Sequence, residues 1–507
     1  MNLLLVGGAG YVGSSVGTVL KDRGHQLWVL DDLSTGHREN VGKIARGFTY
    51  ARAGDRDAVR ALFRREKFDG VFHFAASALV EESVRNPQKY FENNVTQTQF
   101  LIEEMLAAGV RHFVFSSTCA IFGDPGDRPI SEDLPKNPIN PYGESKKAAE
   151  EMIARFCREK GLRATALRYF NAAGADPQTR VGENHEPETH LIPNVFRAVN
   201  AGKSVRVFGT DYPTLDGTCV RDYIHVADLA DAHEKAFLRM RELPGSDGSF
   251  DVYNLGTEQG YTVKQVIAEC ERVLGRQISV ELAPRRPGDP PKLFADASKA
   301  RRDLGFQIRY PLASIIETAW SWEQKRLKPG RAVFLDRDGT LNEDPGYLNH
   351  PAQMKLLPGV GEALSRLQDA GYRLAVVSNQ SGVGRGLIEP ETLPLIHDRM
   401  DELLKAYGVK LHAYVCCVHR PEEGCECRKP KPRLLLDAAS QLGADLSRSY
   451  MVGDKASDLE AGRLAGCRGS VLVRTGDGQK TEESGVRADQ VADDLAGAVA
   501  WILDQKA

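Results

Sequence analysis

Tyr142 and Lys146 stand four residues apart in "INPYGESKKAAEE", with Pro141 directly ahead of the tyrosine. Proline suits the first turn of a helix, and an i,i+4 pair then shares one helix face with Cβ atoms about 5–6 Å apart. A tyrosine ordinarily titrates near 10, so it serves as a base at neutral pH only where neighbouring positive charge favours the phenolate. The spacing points to acid–base chemistry on a hydroxyl; the plain alternative is a tyrosine packed along a lysine stem on a solvated face. A second set lies far downstream. In "AVFLDRDGT" an apolar strand runs into Asp336 and Asp338. A carboxylate at a strand end can attack phosphorus, and one two residues on projects to the same side, where it can protonate the leaving oxygen. Ser378 and Asn379 close "LAVVSNQSG", Arg428 and Lys429 stand in "CRKPKP", and Asp454 closes the strand in "YMVGDKASDLEAG". Hydroxyl, cation and metal-binding carboxylate are what phosphoryl transfer asks for.

Metal chemistry has its own signature. Nine cysteines include Cys416, Cys417, Cys425 and Cys427 crowded together, while Cys119, Cys157, Cys219, Cys270 and Cys467 stand alone. An odd total with one tight cluster is a metal pattern in a reducing compartment rather than a disulfide framework. "CVHRPEEGCEC" offers Cys417, His419, Cys425 and Cys427, four ligands that suit a closed, structural Zn²⁺ site next to Arg428 and Lys429. Cys416 is the spare. Four free thiols beside a histidine is the alternative.

The amino terminus carries the nucleotide-type loop. "GGAGYVG" places Gly7, Gly10 and Gly13 where a tight strand-to-helix turn lets backbone approach a pyrophosphate, and Gly8, Gly10 and Gly13 satisfy the related GxGxxG pattern. "HQLWVLDDL" then ends a second strand at Asp31, where a carboxylate can accept ribose hydroxyls and repel a 2′-phosphate, favouring NAD over NADP. "HFVFSSTCAIFG" ends a third apolar strand in hydroxyl residues, Thr118 among them, that can share a substrate proton with the tyrosine.

Two domains are expected for elements that start twice. The 507 residues exceed one ordinary core. "LASIIETAWSWEQKRLK" has helical periodicity and the following "KPG" breaks it, which sets domains at 1–327 and 332–507 with a linker at 328–331. Hydrophobic residues at 42%, charged residues at 27% and a net charge of −3 are those of a globular protein with no electrostatic pull towards nucleic acid. The run "RKPKPR" is too narrow for a nucleic-acid patch. No signal peptide and no apolar run approaching about 18 residues is visible, so neither membrane nor export is expected and a cytoplasmic enzyme is implied. Internal repeats and low-complexity stretches are absent.

The order of the glycine loop, Asp31, "FHFAA", "NNV", "SST", Tyr142 and Lys146, "LRYFNAAGA", "GTCVRDYIHVADLA", "APRRPGD" and a final "WSW" resembles the UDP-sugar 4-epimerases of the extended short-chain dehydrogenase/reductase family over residues 1 to about 327. The resemblance implies an α/β Rossmann-type domain, NAD as cofactor, UDP-sugars as substrates and a homodimer. It makes Tyr142 the base on the sugar 4-hydroxyl, Thr118 its helper and Lys146 the tuner that also binds the nicotinamide ribose. Gly7, Gly10, Gly13, Asp31, Asp55 and Asn94 would line the NAD site. Asn171, Arg221, Arg286 and Asp289 would grip diphosphate and ribose, and Phe208 would stack on uracil. Ala78 stands where some members carry a lysine. Leu293 stands where strict hexose epimerases carry a tyrosine, which leaves room for an acetamido group and so for UDP-N-acetylhexosamines. Members that bind NAD only as redox-sensing regulators lose the tyrosine and lysine pair, and this chain keeps both.

From residue 331 to about 480 the motifs resemble the haloacid dehalogenase phosphatases, a Rossmann-like fold. By that resemblance Asp336 is the nucleophile and Asp338 the general acid/base, Ser378, Asn379 and Lys429 hold the phosphoryl group, and Asp454 ligates Mg²⁺ with Asp336 and the Asp338 carbonyl. The zinc loop, "DPGYLNHP" and "SGVGRGL" are similar to heptose 1,7-bisphosphate 7-phosphatases, with Arg385 and Arg428 placed to meet a phosphorylated sugar. Histidinol-phosphate phosphatases share the zinc loop and are the alternative.

Overall fold

The computed structural model describes residues 1–242, 248–286 and 289–505, and these divide into two compact units, Met1–Arg326 and Leu327–Ala507. Pro287 and Gly288 of "APRRPGD" lie outside the described residues. The helix Leu312–Leu327 ends the first unit's elements, and the strand Arg331–Leu335 opens those of the second. Arg331 therefore belongs to a strand and not to the linker, because its backbone already pairs with Tyr372.

The first unit is built on a seven-stranded parallel sheet in the order Ser249–Leu255, Arg163–Tyr169, His112–Thr118, Gly70–His73, Asn2–Val6, Gln26–Asp31, Gly47–Tyr50. A parallel sheet is covered on both faces, so its strands read as continuous apolar runs. In "NLLLV" the alternation sends Leu3 and Leu5 into one cluster with Val16, Leu229 and Phe237, and Leu4 and Val6 into another with Leu101, Ile153 and Phe156. Strand order reverses at Asn2–Val6, flanked by Gln26–Asp31 on one side and Gly70–His73 on the other. Ligands sit in the crevice outside the carboxyl ends at such a switch point. Apart from this sheet, a smaller layer pairs Val220–His225 with Asn171–Ala173, Gly260–Thr262 and Lys292–Leu293, and Val205–Phe208 with Val280–Ala283. Helices Leu191–Asn200, Val263–Leu274 and Leu312–Leu327 close it around Val195, Phe196, Val266 and Ile316.

The second unit carries a six-stranded parallel sheet ordered Ala413–Cys417, Tyr372–Asn379, Arg331–Leu335, Tyr450–Gly453, Gly469–Val473, Gln490–Ala492. "RAVFL" repeats the alternation, with Val333 and Leu335 facing one core and Ala332 and Phe334 the other. Its carboxyl ends bring Asp336, Ser378, Cys417 and Asp454 to one edge of the sheet. Among the described residues, no helix is long and apolar enough to cross a membrane.

Candidate active sites

Three strand ends and one helix build the first site. The helix Pro141–Lys160 starts as its sequence predicts: the Asn140 side chain accepts from Gly143 N at 2.9 Å, and Pro141 occupies the first turn, where no backbone donor is missed. Tyr142 and Lys146 then face the end of His112–Thr118. The Thr118 hydroxyl hydrogen bonds the Tyr142 phenol. The Lys146 ammonium donates to Ser116 O at 2.9 Å and lies 4.7 Å from the Phe115 ring, leaving two further N–H donors. Burial pushes the Tyr142 phenol above its ordinary value against the Thr118 bond. The expected pull of Lys146 is not met here, because burial lowers Lys146 itself to about 7 and so disfavours its charge.

A buried ion pair absent from the sequence reading supports this pair. Glu150, one helical turn beyond Lys146, takes two bonds from Arg168, one of them 2.8 Å from Nε, and a third from Ser117 Oγ at 2.6 Å. Arg168 is fully buried, so removing either partner leaves an uncompensated charge at a cost of about 3–5 kcal/mol. The i+4 spacing of Lys146 and Glu150 was visible in "SKKAAE"; its arginine, on another strand, was not.

The glycine loop is shaped for close approach. Gly7 has φ +79°, and a Cβ there would sit 2.4 Å from Ala75 N across the switch point. Gly10 begins the helix Tyr11–Asp22, and a Cβ on Gly13 would meet Gly7 O at 2.3 Å. Asp31 accepts from Ala9 N at 2.9 Å and Leu33 N at 2.8 Å, one bond per oxygen, so each oxygen keeps a lone pair for a ribose hydroxyl. Burial lifts its carboxyl to about 6, those two bonds opposing. The loop and Asp31 thus fit a dinucleotide. Two residues assigned to NAD have side-chain partners within the protein. Asp55 caps the helix Arg56–Arg65, accepting from Ala58 N at 3.1 Å. Asn94, in the π-helical turn Glu92–Thr96, uses its whole amide on Ser77 N, Ser77 O, Ser145 Oγ and Asn93, so it positions the loop around Ser77.

The residues assigned to the nucleotide sugar lie on the smaller layer. Asn171 opens the strand paired to Val220–His225, and Arg221 of that strand pairs with Asp289. The Arg286 guanidinium stacks 4.0 Å from the Phe208 ring centroid, a platform with one aromatic and one cationic face. Leu293 pairs with Arg221 and packs against a cluster that holds Cys119, Phe122 and Phe170.

In the second site Lys429 is the hub. Buried, it donates to Val377 O at 2.7 Å and reaches Asp336 Oδ1 at 3.0 Å and Asp458 Oδ1 at 2.5 Å. Burial works against its charge; Asp336 and Asp458 more than offset that, and its pKa is raised. Asn379 holds the Lys429 backbone through both N and O, at 3.0 and 3.1 Å. Asp336, Asp454 and Asp458 offer oxygens within 4.8 Å of one another. Asp458 is the ligand-type residue missed in sequence, although "GDKASD" displays it. Asp454 Oδ1 is buried with no hydrogen-bond partner, and burial followed by Asp336 lifts its carboxyl to about 7. Three neighbouring carboxylates, two of them paired with one ammonium and the third with an orphaned oxygen, fit a divalent cation such as Mg²⁺. Gly476 makes the fit tight: at φ +58° its Cβ would come within 2.3 Å of Asp454 Oδ2.

Asp338 is held apart from that cluster. Arg337, fully buried, grips both its oxygens at 3.0 and 2.8 Å, and Asn342 and Gln380 each donate at 2.9 Å. Burial opposes ionisation, but these donors prevail and its pKa is lowered. The free protein therefore presents Asp338 in its base form. Ser378 is buried and accepts from Gln380 Nε2 at 3.0 Å. Arg385 pairs with Glu422 of the cysteine loop at 3.5 Å rather than with the carboxylates, and Arg428 reaches His419 O at 3.5 Å. In that loop the Cys417, Cys425 and Cys427 sulfurs lie 3.2–3.6 Å apart and His419 Nδ1 lies 3.2 Å from Cys427 Sγ and 3.7 Å from Cys417 Sγ. A tetrahedron with bonds of about 2.3 Å has edges of about 3.8 Å, so the donor set fits Zn²⁺. Cys416 stands outside it, 4.0 Å from His397 Nε2.

Comparison with known proteins follows this division. The model of the NAD dependent epimerase/dehydratase family matches residues 3–256, and a HAD-hydrolase-like model matches residues 426–498. A UDP-glucose 4-epimerase of Halalkalibacterium halodurans is 46% identical over 328 residues, 64% of this chain and 96% of the relative. The crystal structure of the Brucella ovis UDP-glucose 4-epimerase in complex with NAD aligns at TM-score 0.60 and 42% identity, covering 63% of this chain and 98% of that one. The UDP-Glc/GlcNAc 4-epimerase of Campylobacter jejuni aligns at TM-score 0.55 and 41% identity, covering 64% and 99%. The chain belongs to the NAD dependent epimerase/dehydratase family and carries a haloacid-dehalogenase-like domain behind it.

Proposed function

We propose that this chain is a bifunctional enzyme, a UDP-glucose/UDP-galactose 4-epimerase joined to a sugar-bisphosphate phosphatase. The observation that carries the first half is the Thr118, Tyr142 and Lys146 set at the switch-point crevice, in a domain 46% identical to a UDP-glucose 4-epimerase over almost all of that relative. NAD, when bound, supplies the acceptor and donor of the C4 hydride. Tyr142, ionised once the positive nicotinamide ring adds its charge, takes the 4-hydroxyl proton and returns it, Thr118 relays it, and Lys146 fixes the nicotinamide ribose through its free donors. Arg221, Arg286 and the Phe208 face hold the UDP group while the 4-keto sugar turns over. Leu293 in place of a larger ring supports a second reading, turnover of UDP-N-acetylhexosamines, which the Campylobacter jejuni relative carries in its name. Interconversion of UDP-glucose and UDP-galactose by the purified protein, and its loss in Tyr142→Phe, test the epimerase; a rate with UDP-GlcNAc far below that with UDP-glucose removes the second reading.

The Asp336, Lys429, Asp454 and Asp458 cluster supports the phosphatase. Asp336 attacks phosphorus as the P–O bond to the sugar breaks, Lys429 and Ser378 hold the phosphoryl oxygens, and Asp338, having taken up a proton, gives it to the leaving oxygen and in its base form then activates the water that clears the acyl-phosphate. Mg²⁺ would be held by Asp336, Asp454 and Asp458 and would neutralise phosphoryl charge; Zn²⁺ in the cysteine loop would fix the segment bearing Lys429. The substrate favoured is D-glycero-D-manno-heptose 1,7-bisphosphate, with histidinol phosphate as the alternative. Phosphate release from each, with and without Mg²⁺, decides. Assembly as a homodimer belongs to the same reading and is checked by light scattering.

A further inference from the structure

None of the chemistry above uses the segment "GENHEPETH", residues 182–190, which leads into the helix Leu191–Asn200. Four of its side chains, Glu183, His185, Glu188 and His190, each offer a nitrogen or oxygen within 4.8 Å of the others. His185 Nδ1 lies 3.2 Å from Glu183 Oε1 and 3.9 Å from Glu188 Oε1. His190 Nδ1 contacts Glu183 Oε1 and lies 3.7 Å from Glu188 Oε1. Tetrahedral coordination with bonds of about 2.0–2.1 Å puts ligand atoms about 3.3 Å apart, so the cluster has the dimensions of a coordination sphere.

Charge and hydrogen bonding point the same way. The Glu183 and Glu188 side chains are only 7% and 1% exposed, and their charged partners are these two histidines. Glu188 Oε1 accepts from Thr189 N at 2.8 Å and His190 N at 3.0 Å, whereas its Oε2 is buried without a partner. Once both imidazoles are neutral, as metal ligation requires, the two buried carboxylates carry a double negative charge that one divalent ion would cancel. Two imidazole nitrogens and two carboxylates suit Zn²⁺ or a neighbouring first-row ion better than Mg²⁺ or Ca²⁺, which prefer oxygen alone.

The segment also touches what a clasp should touch. His185 meets edge-on, at 6.0 Å, the ring of Tyr11, which lies between Gly10 and Gly13 of the glycine loop. His37 Nε2 lies 2.7 Å from Asn184 O, and Trp322 Nε1 donates to Glu183 O at 2.9 Å. We propose that Glu183, His185, Glu188 and His190 bind one divalent transition-metal ion of the zinc class, a clasp that fixes this segment against the glycine-loop helix. It rests on neither of the two activities.

The test counts zinc in the full-length protein, stripped with chelator and reloaded with Zn²⁺ in excess Mg²⁺, so that the aspartate cluster is filled. The wild type is expected to retain one equivalent more than His185→Ala/His190→Ala, and Cys425→Ser to lose a different equivalent. Zinc should raise the melting temperature of Cys425→Ser but add nothing through this site in the histidine variant. Glu188→Gln, which keeps the shape of the side chain, should fold and bind this ion at least about tenfold more weakly. Equal zinc content in the wild type and the histidine variant overturns the proposal. If the histidine variant does not fold, anomalous diffraction at the zinc edge from reloaded wild-type crystals decides: a peak among the four side chains supports the site, and its absence there refutes it.

Discussion

Tyr142 keeps its proton in the free protein because burial outweighs the Thr118 hydrogen bond, so the residue is poised by its surroundings rather than already ionised. Replacing it by Phe removes only the proton-carrying atom. The expected result for Tyr142→Phe is a fall in epimerase kcat of about 10²–10⁴-fold with NAD still bound, measured by coupled assay and cofactor absorbance. Asp31 gives a pH dependence. Its carboxyl titrates at about 6 in the folded protein, and ribose hydroxyls donate to the ionised form. Affinity for NAD should therefore be full above pH 6 and weaken as pH falls through that value, by up to about tenfold per unit. Titration of stripped protein from pH 8 to 5 checks this, and Asp31→Asn should bind weakly with no such slope. A slope of the opposite sign would contradict the assigned role.

At the scale of elements, both sites are strand ends, and that is why so much of them was legible. Asp31, Thr118, Asp336, Ser378 and Asp454 each close an apolar run whose length and punctuation are local properties of the chain. What stayed hidden depends on neighbours in space. Arg168 reaches the helical Glu150 from a strand, Asn94 spends its amide on Ser77, and Gln380 donates to Asp338 from the next strand end. Sheet order likewise follows crossovers that no single window contains. The glycine at 476 is one such long-range requirement: its positive φ and the 2.3 Å approach of a Cβ to Asp454 Oδ2 leave no room for a side chain. Gly476→Ala should reduce phosphatase turnover by at least about 100-fold while epimerase activity is unchanged, because the carboxylate it displaces belongs to the second site only.

Each unit of the whole molecule has its own parallel sheet with its own apolar clusters on both faces. Separate cores imply separate folding. Residues 1–327 expressed alone should epimerise at the full-length rate, and residues 328–507 should hydrolyse the same phosphate ester. A collapse of either activity on cutting would show that the two units depend on each other. Two chemistries on one chain are tested by measuring both activities of full-length Asp336→Asn. Phosphate release is assayed against heptose 1,7-bisphosphate and histidinol phosphate, alongside UDP-galactose to UDP-glucose conversion. The expected result is loss of phosphate release with epimerisation untouched; unchanged phosphate release, or loss of both activities in a folded protein, would contradict it.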